Sequence, residues 1–251
     1  MERDDDFDAL LGDADLFKTP MLWFDANWMF VVPPIVFTFY INKIQEVHWL
    51  SLSGLAWAAA PLYSFHQFEE HGWDMKGRRY AFRDYFNDTT SQALGVHMTP
   101  RLLTIINVCI VSVFFSVMAY VSDKRKNYVG SSFAWSIAFA NSIMGHLVPW
   151  LLLGKYNPGA FQSLFMCPIS AFVLWRILKH HGTLTRAAVI FFGSVWGHGV
   201  AMMLPLVLVA KGILTEFEYL LWVVVALGGF VGVVCPLLDA HEPPKNTTKI
   251  S

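Results

Sequence analysis

Leu102–Val121, LLTIINVCIVSVFFSVMAYV, runs without one Asp, Glu, Lys or Arg. A helix needs about 20 mostly apolar residues to cross the hydrocarbon core of a bilayer, and this run supplies them. Six other stretches read the same way: Met21–Ile41, Leu50–Glu70, Ser131–Gly154, Phe161–Leu178, Ala187–Ala210 and Phe217–Leu238. The first carries Asp25 near its start and Pro33–Pro34 in its middle. A charge at depth and two prolines both oppose a plain spanning helix. The expectation is therefore an all-α polytopic transmembrane helix bundle of about seven spans, with six as the alternative if the first stretch is re-entrant. The ten-residue alternation of a membrane barrel is not found.

Composition agrees. Of 251 residues, 55% are hydrophobic and only 15% charged, against about 25% charged in soluble domains. That excludes an ordinary soluble enzyme and a nucleic-acid binder with a basic face. Localisation is read as integral membrane, multi-pass. The domain reading is an acidic arm over 1–20, one transmembrane domain over 21–238 and a polar tail over 239–251. The acidic start is unlike a cleavable signal. Lys and Arg divide evenly between the two sides of a seven-span layout, so they do not orient the chain. Cys109, Cys167 and Cys235 each lie in an apolar run and read as small buried hydrophobes.

With charge this scarce, ionisable groups inside or at the ends of spans are functional candidates. The second span ends in His66-Gln67-Phe68-Glu69-Glu70-His71. His66, Glu69 and Glu70 stand at i, i+3 and i+4, which share one helix face. The fourth span carries Asn141 and Ser142-Ile-Met-Gly145-His146, and the sixth carries Ser194-Val-Trp-Gly197-His198. In each Ser-x-x-Gly-His the Ser and His face the same way, and the Gly permits close helix approach. Asp25 is a further candidate. Lys155-Tyr156-Asn157-Pro158-Gly159 reads as a chain reversal by its own turn chemistry. The long connection from His71 to Pro100 interleaves aromatics with Lys and Arg, which suits a headgroup-layer anchor or a lid over the end of the second span.

His66-x-x-Glu69-Glu70 resembles the signature of the HXXEE-domain family of small integral membrane proteins. In that family a later polar helix carries His, followed by a turn similar to Arg/Lys-Tyr-x-Pro-Gly and an apolar helix with Ser or Thr. Here that order is met by His146, Lys155-Tyr156-Asn157-Pro158-Gly159 and Gln162-Ser163. The resemblance covers roughly residues 60 to 180. It implies an architecture and a site, not a reaction. The first span and the last two, with His198, go beyond it.

Three chemistries fit these groups. His66, His146 and His198, if they converge, leave a fourth position open in the manner of a catalytic zinc site. Glu69 or Glu70 then accepts a proton from an attacking water, and Ser142 or Ser194 donates to an oxyanion. Asn141, Tyr156 and Asp25 are read as substrate or structural support. The site type is similar to that of seven-span hydrolases such as alkaline ceramidases and adiponectin receptors, although their His-x-x-x-His spacing is absent here. This reading, hydrolysis of a lipophilic small molecule assisted by a divalent metal (zinc or iron), is preferred. A metal-free acid–base isomerase or cyclase of a sterol-like or isoprenoid-like substrate is the second. A proton, ion or lipid carrier is the third. The expected partners are that substrate and membrane lipid, with no nucleic acid.

Overall fold

The computed structural model describes residues 20–89, 95–96, 98–179 and 181–240. The acidic arm before residue 20 and the tail beyond residue 240 lie outside the described residues. Every described element is helical.

Helix α1 is Pro20–Glu46. Pro33 and Pro34 sit inside it without ending it. Thr38 donates its hydroxyl to the Pro34 carbonyl at 2.8 Å, a back-bond available to Thr on the helix surface. Helix α2 runs through Leu52–Trp57 and Ala59–Gln67 and closes in a wide turn, Phe68–Gly72. Helix α3, Ala81–Thr89, lies in the connection that follows. Helices α4 (Pro100–Arg125), α5 (Val129–Leu153), α6 (Ala160–Leu178), α7 (Thr183–Ala210) and α8 (Glu216–Leu238) complete the bundle.

Six of these helices, α1 and α4 to α8, are long and apolar enough to cross a membrane. The chain is a multi-pass membrane protein. Helix α2 is not among the six, and its surroundings explain why. It is broken at Ala58 and holds His66, Gln67, Glu69 and Glu70, all buried. Polar groups need a protein lining rather than lipid, and the neighbouring helices supply it.

Ion pairs fix the helix directions. Asp25 meets Arg101 at 2.6 Å at one end of the bundle, and Lys43 meets Asp123 at 2.8 Å at the other. Helices α1 and α4 therefore run parallel, and α2 returns between them. Helix α5 is the axis of the core. Its Trp135 indole donates to the Leu55 carbonyl of α2 at 3.0 Å, and its Phe133 stacks on Phe230 of α8 at 3.8 Å. Helix α7 approaches α5 through Gly193, where an added Cβ would lie 2.3 Å from Ser136 Oγ. Close approach through small residues is how helices gain packing in lipid. The result brings the end of α2, the last third of α5 and the start of α6 together at one end of the bundle.

Candidate metal centre

The wide turn at the end of α2 decides where its polar side chains point. Its backbone closes on i−5 carbonyls, as where the Trp73 N–H meets the Phe68 carbonyl at 3.0 Å. Such turns re-aim neighbouring residues and recur at functional sites. The turn packs closely at Gly72, where an added Cβ would lie 3.0 Å from Met29 Sδ of α1 and from the Phe68 ring. A second wide turn, Asn141–Leu147, presents Asn141 and His146 from α5.

Three donors from these turns converge. His66 Nε2 lies 3.1 Å from His146 Nε2. Glu70 Oε1 lies 2.9 Å from His146 Nε2 and 3.5 Å from His66 Nε2. Both imidazoles are fully buried, and Glu70 is nearly so. The Asn141 amide spans the pair, with Nδ2 at 3.1 Å from His66 Nε2 and 3.2 Å from His146 Nε2.

The hydrogen bonds around His146 fix its tautomer. Asn157 Nδ2 donates to the Gly145 carbonyl at 2.8 Å, so its Oδ1 is the atom 3.1 Å from His146 Nδ1. Oδ1 can only accept, so Nδ1 carries the hydrogen and Nε2 presents its lone pair to Glu70. A lone pair facing a carboxylate oxygen in a buried site needs a positive charge between them, a proton or a metal ion. A metal fits the spacing. Ligands about 2.0–2.1 Å from a tetrahedral zinc stand about 3.3 Å apart, within the 2.9–3.5 Å range of the three observed separations. Orienting a ligating imidazole through its other nitrogen is also the usual second-layer arrangement. His66 lacks this support: its Nδ1 has no partner among the described residues. Its ring is held edge-on between Tyr63 and His146 instead.

Glu69 faces elsewhere. It accepts the Tyr156 hydroxyl at 2.7 Å and the backbone N–H groups of Phe161 and Gln162 at 3.3 and 2.7 Å. It thereby satisfies the first turn of α6, whose own cap residue, Gly159, has no side chain to do so. A carboxylate there is favourable against unpaired N–H groups. The two adjacent acids thus divide, Glu70 to the imidazoles and Glu69 to the α5–α6 turn. Burial pushes the Tyr156 phenol well above its ordinary value, and its hydrogen bond to Glu69 raises it further. Tyr156 holds its proton at neutral pH.

The turn itself touches the centre. Gly159 has φ +90°, and an added Cβ would lie 2.7 Å from His146 Cε1 and 3.0 Å from Glu70 Cγ. Beyond Glu70, its Oε2 lies 3.3 Å from His71 Nε2, and Asn107 Nδ2 lies 3.1 Å from the same nitrogen. The connection after α2 covers this end. Phe82 packs at 5.4 Å from the His146 ring and 6.0 Å from the His71 ring. Tyr80, itself at φ +51°, donates to the Asp25 carbonyl at 2.5 Å.

Several expected site residues sit apart from the three donors. His198 does not join the His66–Glu70–His146 group. Its Nδ1 faces the Gly193 carbonyl of its own helix at 3.2 Å. The set that converges is His, Glu and His, not three histidines. Ser142 donates to the Ala138 carbonyl at 2.9 Å, within its own helix. Ser194, on α7, makes no contact with the three donors among the described contacts. Asp25 pairs with Arg101 and ties α1 to α4. Asn157, His71, Asn107 and Phe82 are parts of the site that spacing alone did not single out. Asn107, a polar residue within the charge-free run, and His71, at the end of the second span, carried a signal in the sequence.

A family model described as a protein of unknown function with HXXEE motif matches residues 57–173. The resemblance carried by His66, Glu69 and Glu70 therefore holds over that stretch. All three converging donors lie inside it, together with Asn141, Asn157 and Gly159, whereas Asp25 and His198 lie outside. No curated protein and no solved structure matches the chain.

Proposed function

We propose that this HXXEE-motif chain is a membrane-embedded enzyme that hydrolyses a lipophilic substrate with the help of one divalent metal ion, zinc or iron. The observation that carries this reading is the convergence of His66 Nε2, His146 Nε2 and Glu70 Oε1 within 3.5 Å of one another. His66, Glu70 and His146 would hold the ion, and Asn157 would keep His146 in the ligating tautomer. An ion bound there supplies Lewis acidity toward a carbonyl or phosphoryl oxygen. Tyr156, its hydroxyl on Glu69, would support the turn that carries Gly159 against the centre. Phe82 and Tyr63 wall the centre with aromatic rings, which limits water. Burial within a multi-pass bundle favours a substrate that arrives from the lipid.

A metal-free acid–base reading has one observation in its favour. Glu70 is flanked by His71 as well as by His66 and His146, which is a continuous proton-holding line. One experiment separates the two. Purified protein is assayed on lipid esters and amides with and without a strong chelator, and again after added zinc or iron. Hydrolysis that is lost on chelation, restored by metal and absent in His146→Ala supports the metal enzyme. Turnover that persists in metal-free protein would refute it.

A further inference from the structure

We infer that Asn141 is a fourth, exchangeable ligand of the metal centre, whose amide oxygen closes the site at rest and gives way to an oxygen of the substrate. Asn141 takes this role only if His66, Glu70 and His146 hold an ion, so the inference rests on the metal reading. Spacing comes first. Asn141 Nδ2 lies 3.1 Å from His66 Nε2 and 3.2 Å from His146 Nε2, and those two nitrogens lie 3.1 Å apart. The three atoms make a nearly equal-sided triangle. Ligand atoms of a tetrahedral zinc stand about 3.3 Å apart, so the end of the amide sits against the two imidazoles as a further corner would.

Charge decides which end of the amide faces an ion. The amino end suits the lone pair of His146 Nε2, which can only accept. A bound cation takes that lone pair, repels the amide N–H groups and attracts Oδ1. The two ends of an amide have nearly the same shape, so a half-turn about the Cβ–Cγ bond exchanges them in place. Gly145 leaves the room. A Cβ added there would lie 2.8 Å from Asn141 Oδ1, so a larger residue would crowd the outer end of the amide in either orientation.

Asn141 is also the open side of the centre. His66 and His146 are fully buried and Glu70 is nearly so, whereas Asn141 is half-buried. Met144, three residues further along α5, is 69% exposed. A molecule that comes from the lipid along this face meets Asn141 before it meets the three donors. A neutral amide oxygen holds a metal less firmly than an imidazole or a carboxylate, the usual zinc ligands, so Asn141 is the ligand that exchanges. One oxygen leaves as another arrives.

The test uses the full chain, purified in mild detergent and loaded with cobalt(II) in place of zinc. Cobalt per chain is measured first, and a chain that retains none would overturn the metal reading itself. In loaded protein, azide is titrated against the visible absorption of the cobalt. Asn141→Ala should bind azide about tenfold more tightly than wild type, for a position that Asn141 holds about nine-tenths of the time. Equal azide binding in loaded Asn141→Ala would overturn the inference. So would weaker binding, which would make Asn141 a hydrogen-bond donor to the entering ligand instead. A second readout needs no variant. With the asparagine side-chain carbonyls of the wild type labelled with carbon-13, infrared difference spectra should show one carbonyl stretch lowered on cobalt loading and restored by azide. No lowering on loading, or a lowering that azide leaves in place, would equally refute an exchangeable Asn141.

Discussion

Replacing Asn157 with alanine removes one side chain and leaves all three converging donors in place. In the native site Asn157 accepts from His146 Nδ1 at 3.1 Å and donates to the Gly145 carbonyl at 2.8 Å. Both of these partners lie where Asn157, fully buried, keeps out water. Truncation leaves a buried imidazole N–H unsatisfied, a cost of about 1–3 kcal/mol. It also frees the ring to take the other tautomer, in which Nε2 carries the hydrogen and cannot ligate. Loss of a second-layer partner lowers metal affinity by about 10- to 100-fold, which is about 1.4–2.8 kcal/mol. The two routes agree. The assay is a competition for zinc between purified protein and a chelator of known affinity, read by elemental analysis. Asn157→Asp keeps an acceptor for Nδ1–H but loses the donor to the Gly145 carbonyl, so it should hold zinc more tightly than Asn157→Ala while lowering the melting midpoint. If folded Asn157→Ala binds zinc as tightly as wild type, the argument that Asn157 sets His146 for a metal is wrong.

Three further outcomes follow from the packing. Gly159→Ala forces a side chain into the left-handed region, at about 1–2 kcal/mol, and drives a methyl onto His146. It should lower the melting midpoint and weaken zinc retention together, and a variant changed in neither would refute the close approach. His198→Ala should leave metal content unchanged while His146→Ala abolishes it, measured as metal per chain; equal losses would restore His198 to the ligand set. Gly193→Ala pushes a methyl into Ser136 and should destabilise the bundle by about 1–3 kcal/mol. Ser136→Gly should recover much of that loss in a thermal or denaturant unfolding series, and no recovery would mean α5 and α7 do not meet there.

The span pattern was legible because lipid imposes it. Length and lack of charge suffice to find helices such as Pro100–Arg125 and Glu216–Leu238. Helix α2 was legible for a different reason, since its polar end interrupts an otherwise apolar stretch. His66, Glu70 and His146 were visible as expensive groups, and the motif supported the first two. What spacing could not give was which of two adjacent acids faces the imidazoles. Regular helix geometry sets Glu69 and Glu70 on either side of the His66 face, and only the fold brings Glu70 to the imidazoles and Glu69 to the start of α6. The paired Ser-x-x-Gly-His pattern misled for a related reason. His146 and His198 look alike in sequence, but only α5 places its histidine beside the end of α2. Asn157 read as part of a chain reversal because its role depends on Gly145 and His146, which the fold alone brings within reach.

X-ray absorption at the zinc edge of the reconstituted protein tests the central claim most directly. The account predicts one ion per chain with two imidazole nitrogens and a carboxylate oxygen at about 2.0–2.2 Å, and one imidazole fewer in His66→Ala. A first shell without histidine, or one that is the same in His66→Ala and His146→Ala as in wild type, would contradict it.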